Sequence, residues 1–183
     1  MKTFTEFNND VVNEHVYAIL EMMILMEMDV DDLNRLDEIA VINKNVEKLN
    51  PYLNKLGLKL AYKKTLIQHA IDAGVGVVKM LRAGMAGDKE EVLRLAKSVK
   101  KEDIANFLLR LDKATLNVIG GTIGRIEAIT GWRLTAAPVA KMAANAVDIV
   151  KKAFKLIHDH LPKIPTYKKG DRKKIKEIEK AII

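Results

Sequence analysis

Apolar residues recur along this chain at spacings of three and four, and no segment alternates with period two. The pattern therefore predicts an all-α protein, a multi-helix bundle. Its clearest stretch is 135–161, TAAPVAKMAANAVDIVKKAFKLIHDHL. Thr135 suits an N-cap, and Pro138 falls in the first turn, where a missing N–H costs nothing. Val139, Met142, Ala143, Ala146, Ile149, Val150, Ala153, Leu156 and Ile157 line one side. Lys141, Asn145, Asp148, Lys152, Lys155 and Asp159 take the other. A long amphipathic helix is expected here, stopped by Pro162 and Pro165. Its packing seam is Val139, Met142, Ala143, Ala146, Val150, Ala153 and Ile157, and the alanines in it invite close approach by a neighbour.

The rest of the chain reads the same way. After a short leader, a helix is predicted over 9–28. It is apolar almost all round from Val16, with Ile19, Leu20, Met22 and Leu25 among its residues, and such a helix is buried. A second, capped by Asp31 and Asp32, carries the stripe Leu36, Ile39, Ile42, Val46 and Leu49 to Asn50-Pro51. A third covers 61–86 with the seam Leu66, Ala70, Gly74, Val77 or Val78, Leu81 and Met85. Gly74, Gly76 and Gly84 are unfavourable inside a helix, by ~1 kcal/mol each against Ala. They make sense where helices approach closely. Asp88 and Glu91 start a short helix to about Ser98. Another spans 102–118 with Ile104, Phe107, Leu108 and Leu111 inward. Gly120-Gly121 predicts a break, followed by a short helix with Ile123, Ile126 and Ile129 on one face and a turn anchored by Trp132. Residues 1–162 are expected to form one helical domain, with 1–28 as a separable acidic and apolar end. A basic tail, 163–183, follows. It forms either a terminal amphipathic helix on Ile175, Ile178 and Ile182 or a flexible arm.

Charge changes the picture. Residues 1–50 carry 4 Lys/Arg against 11 Asp/Glu, a net −7, and residues 51–183 carry 27 against 13, a net +14. Either oppositely charged solvated faces pack together, or the acidic helices dock on the basic body and mask it from anions while the arm 168–180 stays free. Polyanion contacts would then fall to Lys168, Lys169, Arg172, Lys173, Lys174 and Lys176, binding DNA without sequence preference. No Cys is present, which removes disulfides, thiolate metal sites and cysteine nucleophiles. Residues 1–15 are polar and acidic, unlike a secretory signal. The most apolar window, 16–28, is interrupted by Glu21 and Glu27 and is too short to span a bilayer.

Sites of chemistry are not evident. Asp29 and Asp31 begin like a calcium loop, but Leu33 and Asn34 stand where an oxygen ligand and Gly are needed. The Gly-rich run 70–87 lacks the preceding strand and the Gly-Lys-Ser/Thr of a phosphate loop. His158 and His160 point roughly 200° apart on a helix and cannot share a metal. Ser98, the sole serine, has no nucleophile-elbow context. No acid–base pair can be nominated, so a non-enzymatic protein without cofactor is expected. The run 90–111 resembles a helix-turn-helix in outline. Lys100 and Lys101 stand where that pattern wants small and apolar residues, and an ordinary helical hairpin fits better.

The opening MKTFTEF resembles the N-termini of virion and prohead proteins of large contractile-tailed phages. Ile24-Leu25-Met26-Glu27 resembles the pattern after which a prohead protease trims such proteins, with Glu27 as the processing residue. The resemblance covers seven residues and one degenerate site. It implies a structural or assembly protein of the capsid interior, located in the virion or the host cytoplasm. Its partner would be another protein or further copies of itself, and removal of 1–27 would raise the net charge from +7 to +11. Two other classes stay open. A nucleic-acid-binding accessory protein would use the basic tail. A membrane-active or host-targeting protein would use the Gly/Ala-rich segments 70–86 and 118–131, although no apolar run of spanning length supports it.

Overall fold

The computed structural model describes residues 4–27, 66–134 and 146–160, and the single positions 176, 179 and 180. Of these, 83% are helical and none is in a strand, so the chain is all-α. The helices are α1 (Phe4–Glu27), α2 (Leu66–Ala73), α3 (Val75–Ala86), α4 (Lys89–Leu95), α5 (Lys101–Leu109), α6 (Lys113–Thr130) and α7 (Val147–His160). One continuous hydrophobic cluster draws on all seven.

α1 is the element the others pack around. It lies chiefly against α7 and α6, and also against α2 and α3. Val16, Ile19, Leu20, Met22 and Leu25 are buried along it, as its nearly unbroken apolar run requires. The helix begins at Phe4, inside the stretch expected to be a leader.

The segment expected to be one helix over 61–86 is two among the described residues, α2 and α3, divided at Gly74. Gly74 has φ +100°, which a residue with a Cβ avoids, and its N–H bonds back to the Ile71 carbonyl at 2.9 Å. The other two glycines of that run serve close approach. A Cβ on Gly76 would meet Val99 Cγ2 at 2.8 Å, and one on Gly84 would meet Ile126 Cγ1 at 2.8 Å. Gly84 is thus where α3 presses against α6.

The Gly120-Gly121 break does not form. α6 runs unbroken from Lys113 to Thr130. Val118, Ile119, Ile123 and Ile126 are buried on both sides of the glycines, and this burial outweighs their low propensity. The break falls earlier, where the helix expected over 102–118 ends at Leu109. Asp112 then caps α6, its side chain accepting from Thr115 N at 2.8 Å. Asp88 caps α4 the same way, accepting from Glu91 N at 3.0 Å. α4 packs on α3 and α6, and α5 packs on α2. The two short helices therefore do not pair mainly with each other, as a hairpin or helix-turn-helix would require. Gly131, in the left-handed region at φ +74°, ends α6, and half-buried Trp132 packs against the core just beyond it.

The helix expected over 135–161 is described from Val147, as the 14 residues of α7. Its N-terminal half, and with it Thr135 and Pro138, lies outside the described residues. So does the whole helix expected over 31–50.

Candidate functional site

Three polar contacts fix α1 in place, and they form the most organised polar constellation among the described residues. Near its middle, His15 is only 3% exposed and faces α6, where the Asn117 amide nitrogen stands 3.1 Å from His15 Nε2. An amide nitrogen can only donate, so Nε2 accepts. Two turns on, the buried carboxylate of Glu21 accepts from the Leu66 N–H at 3.1 Å. Leu66 is the first residue of α2, and its N–H has no acceptor within its own helix. Glu21 therefore caps α2 from 45 residues away. At the end of α1, the Arg82 guanidinium of α3 donates to the carbonyls of Leu25 at 2.9 Å and Met26 at 3.1 Å. Those carbonyls belong to the last turn, which lacks intrahelical donors and carries the negative end of the helix dipole. Burial pushes the Tyr17 phenol, on the same helix, above its ordinary range.

What this arrangement does chemically is join helices. The imidazole, the carboxylate and the guanidinium are each turned onto a neighbouring element. Asn117 Oδ1 and Thr122 Oγ1, both buried on α6, have no hydrogen-bond partner among the described residues. Sequence reasoning missed all three contacts. His15, Glu21 and Arg82 each look like ordinary surface polar residues until the helices are assembled.

Among the residues nominated from sequence, the seam positions Ala146, Val150, Ala153 and Ile157 are buried, and Phe154 is buried beside them. α7 sets this seam against α1 and, to a lesser extent, α6. Val139, Met142 and Ala143 lie outside the described residues. Glu27 is the last residue of α1. The Leu25 side chain ahead of it is buried, and Met26 is partly buried. Lys168, Lys169, Arg172, Lys173 and Lys174 are outside the described residues, whereas Lys176 is helical and exposed. Close by, the Lys180 carbonyl accepts from Arg125 Nη2 of α6 at 2.9 Å. The backbone at Lys180 is thus bonded to the body, whereas residues 161–175 of the chain lie outside the described residues. On α7, Lys151, Lys152 and Lys155 are exposed, flanked by Asp148 and Asp159.

On α4, Arg94 holds Glu91 in a bidentate pair. The bond lowers the carboxyl pKa and raises that of the guanidinium. Among the described residues no group of three His, Asp or Glu could hold a metal ion, and no helix is long and apolar enough to cross a membrane. Comparison with protein-family models, curated proteins and solved structures returns no match for the chain.

Proposed function

We propose that this chain is a non-enzymatic helical structural or assembly protein. It works through a protein partner or further copies of itself, as a component of the capsid interior or virion of a large contractile-tailed phage. The observation that supports this reading is how its buried and part-buried polar groups are used. His15, Glu21 and Arg82 are committed to positioning helices, which suits a scaffold more than a reaction centre. Size-exclusion chromatography with light scattering, together with mass spectrometry of purified virions, tests the reading. A defined oligomer, and peptides of the chain in particles, are the expected results. A monomer at all concentrations and no virion peptides would refute it.

A second reading, a nucleic-acid-binding accessory protein, is favoured by the exposed lysines of α7 and by Lys176 and Lys180. It predicts retention of duplex DNA that falls steeply with added salt. Salt-insensitive or absent retention would remove it.

A further inference from the structure

We propose that the exposed face of α7 is a short phosphate-backbone contact for duplex DNA, carried by Lys151, Lys152 and Lys155. This deepens the nucleic-acid reading given above and rests on it. The buried positions Ala146, Val150, Ala153 and Ile157 fix which way α7 faces, and the three lysines stand on its exposed side. Among the described residues none of the three is in an ion pair, whereas Arg94 on α4 is held by Glu91 and Lys101 on α5 lies 3.9 Å from Glu102. The α7 charges are therefore left for an external anion. Four residues of helix rise about 6 Å, so Lys151 to Lys155 set three positive charges roughly 2 Å apart, on average, along the axis. Duplex DNA carries one negative charge per about 1.7 Å of its axis, so the two densities match. Asp148 and Asp159 stand exposed beyond the two ends of the lysine run and repel further phosphates, which limits the footprint to the three lysines. Phe154, the aromatic residue among them, is buried, so bases have nothing to stack on and the contact reads the backbone alone. A lipid surface fits less well. A helix that lies on a membrane inserts its apolar face, and that face of α7 is buried against α1 and α6.

The test is retention of a mixed-sequence DNA duplex by the full chain in gels run from about 50 to about 200 mM salt. Three phosphate contacts contribute about −2.7 to the slope of log K against log salt, a fall of roughly fortyfold over that range. Lys151→Gln, Lys152→Gln and Lys155→Gln together leave the buried seam untouched and are expected to make the slope shallower by about 2.7. Asp159→Asn is expected to tighten binding. An unchanged slope in the triple variant overturns the proposal, as does a D159N chain that binds no more tightly than the parent. If retention survives the triple variant and is lost instead on Lys176→Gln with Lys180→Gln, the nucleic-acid reading stands and the α7 contact is wrong. If the parent retains no duplex even at the lowest salt, both fall. Cosedimentation with phosphatidylserine vesicles is measured in parallel. Vesicle binding that the triple variant abolishes, without retention of DNA, would assign the face to a membrane and overturn the proposal. Should the triple variant lose its helical circular dichroism, Lys155→Gln alone replaces it. The slope is then expected to become shallower by about 0.9, and an unchanged slope overturns the contact.

Discussion

Replacing Gly84→Ala adds one methyl group where α3 meets α6. That methyl would stand 2.8 Å from Ile126 Cγ1, 2.9 Å from Ile126 Cδ1 and 3.1 Å from Thr122 Cγ2. Carbon atoms pack favourably at roughly 3.5–4.0 Å, so these contacts are repulsive. Ile126 is fully buried and cannot swing aside without displacing its own neighbours. Overpacking of this kind costs ~1–3 kcal/mol. The same substitution gains ~1 kcal/mol of helix propensity, so the net loss is about 0–2 kcal/mol. Gly124 supplies the control. It lies inside α6, it is exposed, and a Cβ there meets nothing within 4 Å. Gly124→Ala should therefore stabilise by about 0.5–1 kcal/mol. The propensity gain is common to both variants, and their difference, ~1–3 kcal/mol, isolates the close approach of the two helices. Urea unfolding followed by circular dichroism and by the fluorescence of the single tryptophan, Trp132, measures both. If G84A proves as stabilising as G124A, α3 and α6 do not meet at Gly84 and the packing described above is wrong. A double variant adds a check. Ile126→Val removes Cδ1, one of the clashing atoms, so the cost of the added methyl should shrink in that background.

Two further outcomes follow from the same core. Thr122 Oγ1 is buried without a hydrogen-bond partner among the described residues, so Thr122→Val should raise the melting temperature by the equivalent of ~1 kcal/mol, and a lowered one would show that the hydroxyl is bonded. Tyr17 has a raised phenol pKa: the fold prefers its neutral form, and that contribution is full below the unfolded value of about 10 and is lost as pH rises through the folded value. In an alkaline absorbance titration of the four tyrosines, a phenol that ionises above the ordinary range should therefore disappear in Tyr17→Phe, and an unaltered curve would contradict the assignment.

How far the sequence carried the fold depends on which force decided each element. Burial left a trace: Val16, Ile19, Leu20, Met22 and Leu25 in α1, and Ile104, Phe107, Leu108 and Leu111 in and just after α5, are apolar at helical spacing and are buried. Breaks were harder, because one residue type plays opposite parts. Gly74 adopts positive φ and divides two helices, whereas Gly120 and Gly121 sit inside α6, where the isoleucines and valines around them are packed on several sides. Only the tertiary surroundings separate these cases. Asp112 was a readable signal that went unused: an Asp followed by Lys113-Ala114-Thr115 after a run of leucines is an N-cap, and it places the start of α6 where it is. The clamps on α1 were not legible. The partners His15 and Asn117 are 102 residues apart, and Glu21 and Leu66 are 45 apart, so nothing local marks them. The charge asymmetry read from composition is real, but most of the basic tail it pointed to lies outside the described residues.

The central claim is that α1 is an integral part of the core, keyed by His15, Glu21 and Arg82, and not a detachable acidic cover. Thermal unfolding of a chain beginning at Met28, followed by circular dichroism, tests it most directly. That chain lacks the buried residues Val16, Ile19, Leu20, Met22 and Leu25 and exposes the surfaces of α2, α3, α6 and α7 that they cover. Each such side chain contributes ~1.5–3 kcal/mol when buried, so their joint loss exceeds the ~5–15 kcal/mol by which ordinary domains are stable or consumes most of it. The expected result is loss of any cooperative transition. A cooperative transition with a midpoint within a few degrees of the full chain would contradict the claim.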